Sequence, residues 1–283
     1  MVIESFIDPV RAERRPWRMF FIGALIATAA VFLSLWIFRQ YSSLVMVFLT
    51  VTATVPLMYK TMKFEEKKDM DIKDESKLLK EHWRALEFLL FMFLGYLIAY
   101  VIWFIVLPAD LVQLLFSSQI ETIGLINSKV TGTMVVQSSV LAQIFFNNVK
   151  VLMFCIFFAF FYGAGAIFIL TWNASVISAA IGTFIKNKIA EYAAAIGALN
   201  FFQYFHVFSL GLLRYSLHGI PEIAAYFIGG IAGGIISVAM INHDIESEKF
   251  KNIMLDVLDL TMLAVFVLFI SALIEVFITP LFF

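Results

Sequence analysis

The stretch MFFIGALIATAAVFLSLWIF, Met19–Phe38, runs for 20 residues without a charge. As an α-helix it rises about 1.5 Å per residue, enough to cross the ~30 Å hydrocarbon layer of a bilayer. Lipid offers the backbone no hydrogen-bond partner, so a crossing segment must be a helix or belong to a closed barrel. The run is continuously apolar rather than alternating, which selects the helix. Arg11, Arg14, Arg15 and Arg18 precede it, as basic residues precede a secretory signal. A signal core is typically about 7–15 residues and ends at a small-residue cleavage site. This run is longer and leads into Phe38-Arg39-Gln40, so an uncleaved first span is expected.

Working outward, the pattern repeats. Of 283 residues, 62% are hydrophobic and 14% charged, against roughly 45–50% and 25% in soluble domains. A second span is expected at Ser42–Tyr59 and a third at Leu86–Leu107, stopped by Pro108. A fourth lies within Phe146–Trp172, and a weaker fifth, Ala193–Tyr215, carries Asn200, Gln203 and His206. Pro221–Ile241 and Asp259–Thr279 read as the sixth and seventh.

Two segments break the pattern. Lys60–Arg84 mixes charges of both signs and reads as a solvated helix or linker with a wet face. Residues 108–149 place Leu111, Leu114, Leu115, Val136, Val140, Leu141, Ile144 and Phe145 at helical spacing, with Gln137, Ser138 and Gln143 on the other face. That is the pattern of amphipathic helices at a membrane surface. The expected fold class is therefore all-α, a polytopic transmembrane helical bundle of about seven spans with amphipathic interfacial helices. Residues 1–85 would form a two-span hairpin plus a charged cytoplasmic segment. Residues 86–283 would form a membrane core with an outer connection at 108–149.

Lys and Arg are retained on the cytoplasmic side. With the N-terminus cytoplasmic and seven spans, inner segments would hold sixteen of the 20 basic residues. These are the four arginines before the first span, eight residues in 60–84, and Lys186, Lys188, Lys249 and Lys251. Arg39, Lys129, Lys150 and Arg214 are left outside or at the outer edge. The C-terminus then falls outside, and a cell-membrane protein is expected. If the fifth span only dips into the bilayer, everything after it inverts.

This topology gathers Asn147, Asn148, Arg214, His218, Glu222 and Glu275 toward the outer face. An ionisable group near the membrane centre costs at least ~2.5–3.5 kcal/mol, so such groups face protein, a partner or a watery cavity. One reading is capping and ion pairing, with Glu222 after Pro221 in a first helical turn, where the helix dipole favours a carboxylate. The other is a ligand or ion site. His218 and Glu222 are four apart, but Gly219 and Pro221 interrupt a continuous helix, and no HExxH pattern occurs. No metal or cofactor is expected. A Gly-rich phosphate loop, a GxSxG elbow and paired intramembrane aspartates are missing, so an enzyme is not expected. The net charge of −1 gives no basic excess for nucleic acid, and the lone Cys155 excludes an internal disulfide.

Gly229-Gly230-Ile231-Ala232-Gly233-Gly234 holds two overlapping GxxxG spacings, which let a second helix approach closely. Gly163 and Gly165 in the fourth span are the natural internal partner. A large residue at Gly230 or Gly234 is expected to force helices apart. An intermolecular use of the same seam is the alternative.

FFNN (145–148), Gly163 and Gly165, Trp172-Asn173, and LHGIPEIAAYFIGGIAGG (217–234), taken in order, resemble the stage II sporulation protein M family. The resemblance covers roughly residues 86–279 and leaves two N-terminal spans outside it. Its motif residues here are Asn173, His218, Gly219, Pro221 and Glu222. Ala174 stands where the family has Gly, and Leu217 where it has Pro. In endospore formers the family member is a membrane scaffold that recruits peptidoglycan hydrolases during engulfment. The resemblance implies a non-catalytic scaffold or assembly factor in the bilayer, with other membrane or envelope proteins or a second copy as partners. A small-solute or ion transporter using Asn148, His218, Glu222 and Glu275 is the alternative, and an intramembrane hydrolase the third.

Overall fold

The computed structural model describes residues 9–71, 75–130, 137–159, 164–197, 200–242 and 247–282. Among the described residues there is no strand. The helices are α1 (Pro9–Arg14), α2 (Arg18–Ile37), α3 (Ser42–Asp71), α4 (Glu75–Val106), α5 (Ala109–Leu115), α6 (Ser117–Val130) and α7 (Gln137–Ala159). They continue with α8 (Ala164–Ile196), α9 (Phe201–Asn242), α10 (Glu248–Leu273), a π-helical turn at Ile274–Ile278 and α11 (Thr279–Phe282). Seven of these, α2, α3, α4, α7, α8, α9 and α10 with its extension, are long and apolar enough to cross a membrane. The chain is a multi-pass membrane protein.

The number seven agrees with the sequence expectation, but the members differ. The expected fourth span, Phe146–Trp172, is two antiparallel helices, because α7 ends at Ala159 and α8 begins at Ala164. The expected fifth and sixth spans are one helix, α9, of 42 residues. Pro221 lies inside it. Proline removes one helical hydrogen bond, that of the Leu217 carbonyl, and neighbouring helices can hold such a helix together in a membrane. The break that the Gly-Ile-Pro sequence suggested is absent. Val140, Leu141, Ile144 and Phe145 belong to α7 rather than to a surface helix, so among the described residues the connection is α5 and α6; Val136 lies outside the described residues.

α9 is the hub: it packs on α7, α8, α10, α3 and α4, and α2 packs against α4 on the flank. Its glycine contacts set the helices in register at one end of the bundle. A side chain at Gly233 would meet the Ile156 carbonyl and would lie 2.8 Å from the Ala159 Cβ, and Gly230 lies over Met58 and Ala166. The end of α7 is therefore level with Gly233 and with Lys60, where the apolar run of α3 stops. The partners are thus α7, Ala166 and α3. Gly163 lies outside the described residues, and Gly165 falls in the first turn of α8. The other end lies near Phe104, which packs against Gly182 and under Lys186, and near Arg214, whose guanidinium sits 5.2 Å from the Phe184 ring.

α8 and α9 outreach this slab. At about 1.5 Å per residue, Phe201–Leu212 extends about 18 Å beyond Arg214. The α8–α9 hairpin thus projects from the side opposite α1, which we call the far side. It turns through Gly197 at φ 81°. Asn200 and Gln203 exchange reciprocal hydrogen bonds of 2.8 and 3.0 Å, a capping box that starts α9. Lys186 and Lys188 therefore lie on the far side, opposite to their expected place, because the span preceding them is α8 and not a fourth span ending at Trp172.

The charged segment 60–84 is also not simply a wet face. Glu65 is fully buried; it accepts from Lys68 at 2.9 Å and pairs with His82 Nδ1 at 2.7 Å. Lys68 also donates to Glu13 of α1 at 2.8 Å. Burial holds the Glu13 carboxyl above the ordinary carboxylate range, against the pull of Lys68. Lys63, Lys67 and Arg84 are exposed as expected.

Candidate functional site

α9 carries His218, Glu222 and Tyr226 at four-residue spacing, so one face presents all three. Glu222 lies two turns from Arg214, about 12 Å along the axis and near the middle of the ~30 Å layer. It is mid-helix rather than in a first turn, so no helix dipole end stabilises it. Tyr226, fully buried, donates its hydroxyl to Glu222 Oε1 at 2.8 Å. Asn148 on α7 is buried beside the same carboxylate, and its amide nitrogen makes no hydrogen bond of good geometry.

The third wall is α10 and its extension. Ser271 donates to the His218 carbonyl at 2.7 Å, and Thr279 Oγ1 lies 3.4 Å from His218 Nδ1. Glu275 sits in the π-helical turn Ile274–Ile278, and Thr279 Oγ1 donates to Ile274 O at 3.2 Å, closing that turn. A π-turn inserts an extra residue and re-aims those around it, and such turns recur at functional sites. Here it accompanies the approach of Glu275 and Thr279 to the α9 cluster.

Four of the six polar residues singled out from sequence thus converge: Asn148, His218, Glu222 and Glu275. Two do not. Asn147 is exposed on the lipid-facing side of α7, because a helix cannot turn adjacent residues to one face. Arg214 stacks on Phe184 and Tyr215 and makes no ion pair among the described residues. The expected pairing with Glu222 or Glu275 does not occur. Among the described residues neither carboxylate has a basic partner within ion-pair distance. An uncompensated carboxylate at this depth is costly, which is why Tyr226 and Asn148 stand beside it. Among the described residues no three His, Cys, Asp or Glu side chains converge as a metal-binding group.

The motif residues around the cluster serve different ends. Asn173 lies inside α8, where its amide donates to Ile169 O at 3.0 Å, rather than after a span. Gly219 is no packing seam, because a side chain there would meet nothing within 4 Å. It borders a small apolar cavity of about 200 Å³ with Trp83, Leu94 and Ile181.

These residues lie in the stretch that decides the relationship. Residues 85–280 match the family described as Stage II sporulation protein M. The chain belongs to that family. The match begins within α4 and ends in α11; α1 to α3 lie outside it, and Glu65 of α3 is bonded to His82 of α4. No curated protein and no solved structure matches this chain.

Sequence reading missed that ion cluster and the hydroxyl pairs Thr50–Tyr100 at 2.7 Å and Thr54–Tyr96 at 2.6 Å, which tie α3 to α4. A signal existed. Thr50, Thr54, Met58, Thr61, Glu65 and Lys68 fall at spacings of three and four, so the buried stripe of α3 continues into the charged segment. The Gly23–Gly95 contact between α2 and α4, where each glycine faces the other helix's backbone, was also unread.

Proposed function

We propose that this protein is a non-catalytic membrane scaffold that presents the α8–α9 hairpin to another envelope or membrane protein. One observation carries the reading. α9 has 42 residues, about twice the ~20 that cross the hydrocarbon layer, so its first turns are read as lying beyond the far edge, and Phe201, Phe202 and Phe205 there are 75%, 79% and 61% exposed. Aromatic side chains gathered on a tip outside the bilayer suit a partner surface, since large uncovered apolar patches on soluble surfaces mark interaction sites. The N-terminus is cytoplasmic and the hairpin and C-terminus are outside. Among the described residues thirteen basic residues are on the α1 side and five on the far side, Lys150 falling within α7.

A photo-crosslinker at Phe202 in intact cells is expected to give a discrete protein adduct, and one at the lipid-facing Phe154 is not. Serine at Phe202 and Phe205 should abolish an adduct formed from Phe201 while leaving the melting temperature unchanged. Adducts with lipid alone would remove the scaffold reading.

The Glu222 cluster favours a second reading, passage of a proton or small cation through the far half of the bundle. Glu222→Gln in proteoliposomes separates the two. Transport predicts loss of flux with the fold intact; the scaffold predicts no flux in either protein and an unchanged hairpin adduct.

A further inference from the structure

The face of α9 turned away from Glu222 lines a groove of about 650 Å³ between α4, α9 and α10. Its volume falls within the roughly 300–1,000 Å³ typical of ligand sites. Leu86 and Leu90 form one wall, Ala224 and Ile228 the floor, and Leu263 and Val267 the other wall. α4 and α10 both pack on α9 but scarcely on each other, so the groove opens sideways, where lipid is the solvent.

Its length and its charge both select an occupant. From Ile231 to Ile220 the floor covers about 16 Å of helix axis, close to half of the ~30 Å hydrocarbon layer. One leaflet's acyl chain therefore fits it end to end. At the α1-side end the lining turns polar, with Lys80 and His82. His82 Nδ1 is bonded to Glu65, which leaves Lys80, exposed, as the group that gives this end its positive charge. Lys80 lies one turn beyond Arg84, at the depth where headgroups begin. Basic residues between helices at this level hold anionic headgroups. The partly exposed Trp83 flanks the same end, as aromatic residues do at membrane interfaces.

We propose that this groove binds one anionic phospholipid of the α1-side leaflet, with an acyl chain along Leu86, Leu90, Ala224 and Ile228 and its phosphate on Lys80. The site is separate from the hairpin and from the Glu222 cluster and does not rest on the scaffold reading. A bound chain would fill the space between α4 and α10 and couple the α1-side ends of the bundle to leaflet composition.

The test uses the full chain, delipidated in mild detergent and offered mixed micelles of phosphatidylglycerol or phosphatidylcholine. Bound lipid is read by native mass spectrometry and thermal stability by melting. The wild type is expected to retain one phosphatidylglycerol per chain, several-fold in preference to phosphatidylcholine, and to melt higher with it. Lys80→Gln should bring the two lipids to near parity. Ala224→Phe, which pushes a ring into the groove, should abolish both adducts. Equal retention of the two lipids by the wild type would overturn the proposal, and so would an unchanged preference in Lys80→Gln. A groove filled instead by a second copy, seen as a dimer without lipid, would overturn it too. If Ala224→Phe fails to fold, the headgroup comparison and the exposed Lys80 variant decide alone.

Discussion

Glu65→Ala is expected to destabilise the protein by about 3–5 kcal/mol, the range for removing one member of a buried ion pair. Glu65 is wholly enclosed, and its two oxygens are each engaged, one by Lys68 and one by His82. Removing the carboxylate leaves Lys68, only 8% exposed, with Glu13 and the longer contact to Glu81 at 3.7 Å. The cost arises mainly from the cation left behind, so it exceeds what the intact cluster contributes over an apolar replacement. A second variant checks this: Glu65→Ala combined with Lys68→Met should recover a large part of the loss. Detergent unfolding of the wild type, the single and the double variants measures both. Equal losses in the single and the double would rule out the stranded-cation account. Because α1 and α3 meet α4 at this cluster, proteolysis near Arg14 should also rise in the single variant.

Gly233→Leu is expected to cost about 3 kcal/mol or more, at the upper end for overpacked sites, whereas Gly230→Ala should cost under about 1 kcal/mol. The glycines of α9 are not equivalent. At Gly233 the obstacle is the backbone of α7 at Ile156, which cannot move without shifting the helix. At Gly234 the obstacle is the Met62 side chain, a flexible group that can turn aside. At Gly230 an added methyl would lie 3.3 Å from the Ala166 Cβ, a small intrusion. Gly219→Ala meets open space, and alanine favours the helix by up to about 1 kcal/mol, so that variant should be neutral or stabilising. Melting temperatures of these variants in one detergent give the order directly. A loss at Gly230 as large as at Gly233 would show that the α7–α9 contact is not the tight one. Alongside Gly230 and Gly234, where the seam is expected, Gly233 approaches a neighbouring backbone, and it is there that the largest loss is expected.

Sequence alone determined the solvent of this protein and its secondary structure. Runs such as Met19–Phe38 admit only helix in lipid, and lipid leaves no other way to satisfy the backbone. It also singled out six polar residues as costly enough to be grouped, of which Asn148, His218, Glu222 and Glu275 converge while Asn147 and Arg214 do not. Tertiary structure decided where the helices begin and end. Hydropathy does not separate α7 from α8, because the sequence between Ala159 and Ala164 is as apolar as the helices on either side, so the two read as one span. Nor can it see that neighbours hold a helix straight across Pro221. Those two errors cancelled in the count and survived in the topology, which is why Lys186 and Lys188 changed sides. Tertiary structure also decided the fate of charge. Arg214 met aromatic rings instead of a carboxylate, and Glu65 went inside while Lys63 and Lys67 stayed in water. The physical reason is common to all these cases. Periodicity fixes which face of a helix a residue occupies, but only the packed neighbours determine what that face meets.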